Sequence, residues 1–119
     1  MKEDNIVLQK SYDFAIRIVK LGKHLRENKK EFVLSNQVLR AGTSIGANIE
    51  EALGGQSNND FIHKISIAYK EARETKYWIN LLFSTGYITE AQKNSLLGDC
   101  LEILKILSSI LVTMKKNNS

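Results

Sequence analysis

The stretch LRAGTSIGANIEEALGG, residues 39–55, decides how this chain folds. Its four glycines and run of small polar residues suggest a phosphate-cradling loop, whereas Ile45, Ile49 and Leu53, spaced four apart, suggest a helix. The loop reading fails on spacing. A Walker loop needs four residues between its glycines and then Lys-Ser or Lys-Thr; here three residues separate Gly42 from Gly46, and Ala47-Asn48 follows. The dinucleotide fingerprint fails too, for want of a Gly-x-Gly and a preceding strand. The stretch is therefore read as a helix with a low-relief side (Ala41, Gly42, Ser44, Gly46, Ala47) and with Ile45 and Ile49 packing inward. Two mid-helix glycines cost about 1 kcal/mol each relative to alanine. Close approach of a neighbouring helix at Gly42 and Gly46 is the expected compensation. The polar residues Thr43, Ser44 and Asn48 are expected to hydrogen-bond either within the bundle or between subunits.

Working outward, the chain divides into four helical segments, at about 5–26, 29–53, 58–84 and 90–115. On the first, Leu8, Tyr12, Ala15, Ile18, Val19 and Leu25 share one broad side. The second is expected to open with a capping box at Asn28 and Glu31, to bury Phe32, Val38, Ala41, Ile45, Ile49 and Ala52, and to stop at Gly54-Gly55. Ser57 or an asparagine after it caps the third, whose inward column reads Phe61, Ile65, Ala68, Ala72, Thr75, Ile79 and Leu82. Gly86 closes that helix, and Thr89 with Gln92 forms a capping box for the fourth. No segment sustains strand alternation and the connections are short. The expected architecture is one all-α domain over residues 1–119, an antiparallel up-down-up-down four-helix bundle.

The fourth segment carries more apolar surface than one bundle position requires. Leu97, Cys100, Leu101, Leu104, Leu107 and Leu111 supply a core stripe. Leu96, Ile103 and Ile110 add a second column at seven-residue spacing, with Ile106 and Val112 beside it. A surface helix needs an apolar stripe only a little over ~100° wide. Leu96, Ile103, Ile106 and Ile110 are therefore expected to face another subunit, making the protein a homo-oligomer.

At 119 residues, with 43% hydrophobic and 25% charged residues, the composition is that of a globular domain large enough to stand without metal or disulfide. No proline interrupts the helices. Cys100, the single cysteine, sits in an apolar run and reads as a buried thiol. There is no charged-then-apolar leader and no apolar run of membrane-spanning length, so a cytoplasmic protein without membrane partners is expected. Net charge is +4, concentrated early: residues 1–40 hold nine Lys/Arg against five Asp/Glu. That balance permits an acidic partner such as RNA.

The wording of the central helices is also familiar. Arg40, Gly42, Ser44, Ile45, Ala47, Asn48, Ile49, Glu50 or Glu51, and Ala52 form one signature; Lys70, Glu71, Ala72, Arg73, Glu74, Thr75, Tyr77 and Trp78 form a second. With SYDFAIRIVKL before them and TGYI after, the chain resembles the bacterial four-helix-bundle family that includes the 23S rRNA intervening-sequence proteins. It also looks related to the accessory protein of diversity-generating retroelements, a basic bundle that partners a reverse transcriptase and nucleic acid. The resemblance implies an antiparallel four-helix bundle, commonly a pentameric ring, with no enzymatic activity established.

The residues supply little catalytic chemistry. A di-iron bundle needs Glu-x-x-His on two helices and further carboxylates on the others; Asp60 and His63 are the nearest approach and occur once. Cys100 has no histidine near it in sequence, and no serine is singled out as a nucleophile. The expectation is a non-enzyme with no cofactor, no metal and no small-molecule substrate. Two faces suit nucleic acid: Lys10, Arg17, Lys20 and Lys23 along the first helix, continued by Lys29 and Lys30, and Arg73, Lys76 and Tyr77 on the third. Lysine and arginine neutralise phosphates and aromatic rings stack on unpaired bases. The expected function is an oligomeric bundle, pentameric by the resemblance, that binds RNA or a nucleic-acid-processing protein. The alternative is a structural protein–protein interaction module without nucleic acid.

Overall fold

The computed structural model describes residues 2–117. Four helices follow one another: α1 (Lys2–Lys29), α2 (Val33–Leu53), α3 (Asn58–Ser84) and α4 (Glu90–Asn117). They form an antiparallel bundle of 48 × 22 × 19 Å in which each helix packs on its sequence neighbours and α1 closes on α4. The 30–32 and 85–89 connections therefore lie at one end, and the 54–57 connection at the other.

The helix ends follow local chemistry. Ser57 adopts an extended backbone and its hydroxyl accepts from the Asp60 N–H at 3.1 Å. Thr89 and Gln92 exchange the two hydrogen bonds of a capping box, at 2.8 and 3.1 Å. At the end of α3, Gly86 takes a φ of 86°, letting the Tyr87 N–H reach the Leu82 carbonyl and the Gly86 N–H reach that of Phe83. The expected capping box at Asn28 is corrected. α1 runs on to Lys29, Lys30 turns left-handed (φ 55°), and α2 begins only at Val33. Glu31 still caps α2, but from outside the helix: its carboxylate accepts from the Leu34 and Ser35 N–H groups at 3.1 and 2.7 Å. Phe32, expected in the core, is left exposed beside that turn.

The core is assembled from positions spaced alternately three and four apart. α1 gives Val7, Phe14, Ile18 and Leu25; α2 gives Val38, Ala41, Ile45 and Ile49. α3 gives Ile65, Ala68, Ala72, Ile79 and Leu82, with Thr75 buried among them and Phe61 half-buried at the end. α4 gives Leu96, Cys100, Ile103, Leu107 and Ile110.

Two of these columns differ from the sequence expectation. On α1 the expected side is rotated by about one residue: Val7 and Phe14 point inward, while Tyr12 is 64% exposed and Val19 is also exposed. On α4 the columns exchange roles. Leu96, Ile103 and Ile110 lie inside this subunit's own core and are not available as an interface; Ile106 is half-buried. Leu101, expected inside, is 47% exposed, and Leu97, Leu104 and Leu111 are only partly covered. Both helices carry two adjacent apolar stripes, and the neighbours select the one that faces both packed partners at once.

The glycines of α2 are explained by α1. A methyl group on Gly42 would lie 2.8 Å from both γ carbons of Ile18, and one on Gly46 would lie 3.2 Å from the Ser11 hydroxyl. At the other end of the same seam the small partner belongs to α1: the Ser35 hydroxyl donates to the Gly22 carbonyl at 3.2 Å and accepts from Arg26 at 3.1 Å. Small residues on alternating sides bring the two backbones together along the seam.

Candidate nucleic-acid interface

Bringing the 30–32 and 85–89 connections to one end gathers charge there. Residues 20–40 and 76–93 together hold eight Lys/Arg against three Asp/Glu, whereas the rest of the chain holds nine against ten. The net +4 therefore resolves into an excess of five positive charges at one end and a slight acidic balance elsewhere.

The basic residues expected to form the first face divide into two groups. Lys10 and Arg17 turn toward α4, where Lys10 pairs with Glu102 at 2.6 Å and Arg17 with Asp99 at 2.6 Å. Arg17 also donates to the Ser95 hydroxyl at 2.8 Å. The hydrogen bond to Glu102, reinforced by its charge, raises the Lys10 pKa above the usual lysine value. These two cations of the expected RNA face are thus engaged within the fold. Lys20, Lys23, Lys29 and Lys30 make no ion pair among the described residues and stand exposed toward the basic end. Beside them a shallow cleft of about 360 Å³ lies between α1 and α4, lined by Arg17, Lys20, His24 and Gln92.

The second expected face lies on another side of the bundle. Lys76 is exposed on the flank of α3 that meets α4, and by helical spacing Arg73 shares that flank; Tyr77 is exposed and edge-on to Trp78, with ring centroids 5.0 Å apart. The structure does not join Arg73, Lys76 and Tyr77 to the α1 lysines. On the opposite flank of α3, Arg40 from α2 pairs with Glu71 and Glu74, and the Trp78 Nε1–H donates to Glu74 at 3.1 Å. Much of the second sequence signature is thus an α2–α3 clasp. Thr43 and Ser44 donate to the carbonyls of Leu39 and Ala41, and Asn48 to that of Ser44, so all three bond their own helix.

Cys100 is fully buried, donates to the Ala72 carbonyl at 3.3 Å, and its pKa is pushed up to about 11 by burial. Such a thiol is a poor nucleophile at neutral pH. Asp60 and His63 both lie exposed in the first turns of α3, and among the described residues no group of three His, Cys, Asp or Glu converges on a metal-sized site. No helix among them is long and apolar enough to cross a membrane.

One feature escaped the sequence reading. Leu8, Tyr12 and Ala15 of α1 face Thr43, Gly46 and Ala47 of α2 across an open, largely apolar groove of about 680 Å³, with Glu50 at its rim. The stripe Leu8, Tyr12, Ala15, Val19 was visible on the helical wheel. Its assignment to the core hid its meaning.

The fold and its polarised surface define an all-α four-helix bundle. The 23S rRNA-intervening sequence protein family matches residues 3–109, and the chain belongs to that family. Among solved structures it is similar to a protein of unknown function from the S23 ribosomal protein family of Bacteroides thetaiotaomicron VPI-5482. The two are 56% identical, with a TM-score of 0.91 over 92% of this chain and 97% of that one. No curated protein matches the chain.

Proposed function

We propose that this protein is a non-enzymatic, self-associating helical bundle that binds RNA through its basic end. The observation that carries the reading is the division of the cations on α1 and just after it. Lys10 and Arg17 are tied to α4 carboxylates, while Lys20, Lys23, Lys29 and Lys30 make no ion pair among the described residues and stand where the bundle is most positive. Phosphates neutralised there displace no internal partner. The family's description refers to 23S rRNA, which favours RNA as the polyanion. A single four-lysine patch is weak, and copies of it in an assembly such as a pentameric ring gain by avidity.

The test is fluorescence anisotropy with a labelled single-stranded RNA at several salt concentrations. Engagement of about four phosphates gives a slope of log affinity against log salt near −3. Replacing Lys20, Lys23, Lys29 and Lys30 together by alanine abolishes most of that slope, whereas Lys10→Ala with Arg17→Ala changes it little. A flat salt dependence, or a four-lysine variant that binds as the parent does, refutes the reading. The exposed apolar groove between α1 and α2 favours one further reading, a protein–protein interaction module without nucleic acid.

A further inference from the structure

We infer that the Phe32 ring is a stacking platform for an unpaired RNA base, so that the basic end takes single-stranded or looped RNA and not a duplex. The inference rests on the RNA reading proposed above and names the substrate class of that same site. Phe32 is the N-cap residue of α2, two positions after the left-handed turn at Lys30, and is 54% exposed. Its carbonyl accepts from the Asn36 N–H at 3.3 Å, so the backbone that carries the ring is fixed by the helix. Val33 beside it is 71% exposed and widens the apolar surface. Other rings at this end are less open. The Lys93 ammonium lies 4.3 Å from the centroid of the Phe83 ring, and Tyr87 is half-buried against the core.

The charges next to the ring suit a polyanion. Lys29 and Lys30 precede it in the chain, exposed and without an ion pair among the described residues. Lys30 holds a φ of 55°, a conformation that glycine and asparagine adopt readily and lysine does not. The turn thus keeps a cation where another residue would serve the backbone better, a form of strain that marks functional sites. Glu31, the acid between Lys30 and Phe32, turns both carboxylate oxygens onto the Leu34 and Ser35 N–H groups, so its charge is directed at the N-terminus of α2. A nucleotide supplies what this surface matches: a flat π face for the ring and phosphates for the lysines. A protein partner covers about 800 Å² on each side, far more than Phe32 and Val33 offer, whereas one base covers one ring. In duplex RNA the bases stack on one another and the grooves present edges and sugars, leaving no face for Phe32 to meet.

The experiment compares, by fluorescence anisotropy, a short oligoadenylate with an abasic strand of the same length, which carries the same phosphates without bases. The parent should bind the oligoadenylate roughly 5- to 150-fold more tightly, the range that one stacked base supplies. Phe32→Ala should remove most of that preference while leaving the affinity for the abasic strand and the salt slope unchanged, since no charge is altered. Phe32→Trp should keep the preference. In a Trp78→Phe background its emission should be quenched by oligoadenylate and not by the abasic strand. Because Phe32 is exposed, urea denaturation should find the Phe32→Ala protein as stable as the parent. A Phe32→Ala or Phe32→Leu protein that retains the full preference overturns the stacking role; if salt-dependent binding persists in it, the RNA reading stands without Phe32. Loss of the preference together with a fall in native mass assigns the ring to a contact between copies and equally overturns the inference. A parent whose binding to both strands is independent of salt overturns both proposals.

Discussion

Gly42→Ala tests the packing argument most directly. In an unconstrained helix interior the change stabilises by about 1 kcal/mol. Here the added methyl would stand 2.8 Å from both γ carbons of Ile18 and 3.2 Å from its β carbon, where carbon atoms prefer about 3.5–4.0 Å. Ile18 is fully buried and has nowhere to swing, so the helices must part or Ile18 must leave its rotamer. Overpacking of this kind costs about 1–3 kcal/mol. With three close contacts so near the α1 backbone, the upper half of that range applies, and the net effect is a loss of about 1–2 kcal/mol. Gly98→Ala is the internal control, because a methyl group added to that α4 glycine would have nothing within 4 Å; it should gain about 1 kcal/mol. Gly46→Ala, meeting only the Ser11 hydroxyl at 3.2 Å, should fall between them. Urea titrations at one fixed protein concentration measure the differences. Ile18→Ala removes both γ carbons, so in that background the penalty at position 42 should largely vanish, a coupling of at least about 1 kcal/mol. A Gly42→Ala protein as stable as Gly98→Ala would refute the close-approach explanation for these glycines.

Other consequences can be measured independently. Cys100 holds its proton up to about pH 11 when folded against 9.0 as a free thiol; its contribution to stability is therefore full below pH 9 and lost as pH rises toward 11. It is worth up to about 3 kcal/mol, and the parent should lose stability more steeply over that window than Cys100→Ala. Ser57→Ala removes the acceptor for the Asp60 N–H and should cost about 1 kcal/mol in urea denaturation, with no change in assembly. Glu74→Ala removes one of the two carboxylates paired with Arg40 and releases the Trp78 indole N–H, leaving Arg40 on Glu71. Its stability cost should stay below about 1 kcal/mol, because the ion pair is half-exposed and screened, yet the tryptophan emission should shift to the red as the indole gains water. An unchanged spectrum would show that Glu74 does not hold Trp78 in solution.

Helix number, order and most termini were legible because they depend on chemistry within a few residues. Ser57, the Thr89–Gln92 pair and Gly86 act on backbone groups one turn away, and their residue types are readable in place. The α3 column was legible for a related reason: only one apolar stripe, Ile65 to Leu82, runs its length. The Asn28–Glu31 signal misled because the left-handed turn at Lys30 placed the same carboxylate two positions before the helix that it caps.

The sequence by itself determined a four-helix bundle and the family to which it belongs, since periodicity, caps and two dense signatures are all local properties of the chain. Tertiary structure alone decided which stripe of α1 and of α4 became core, because a helix with two adjacent apolar stripes is oriented by its neighbours and not by its own wheel. It also decided which cations remain available. Arg17 and Asp99 lie 82 residues apart in the chain and 2.6 Å apart in space, and only the closing of α1 on α4 turns Lys10 and Arg17 of the basic face into partners in ion pairs within the fold.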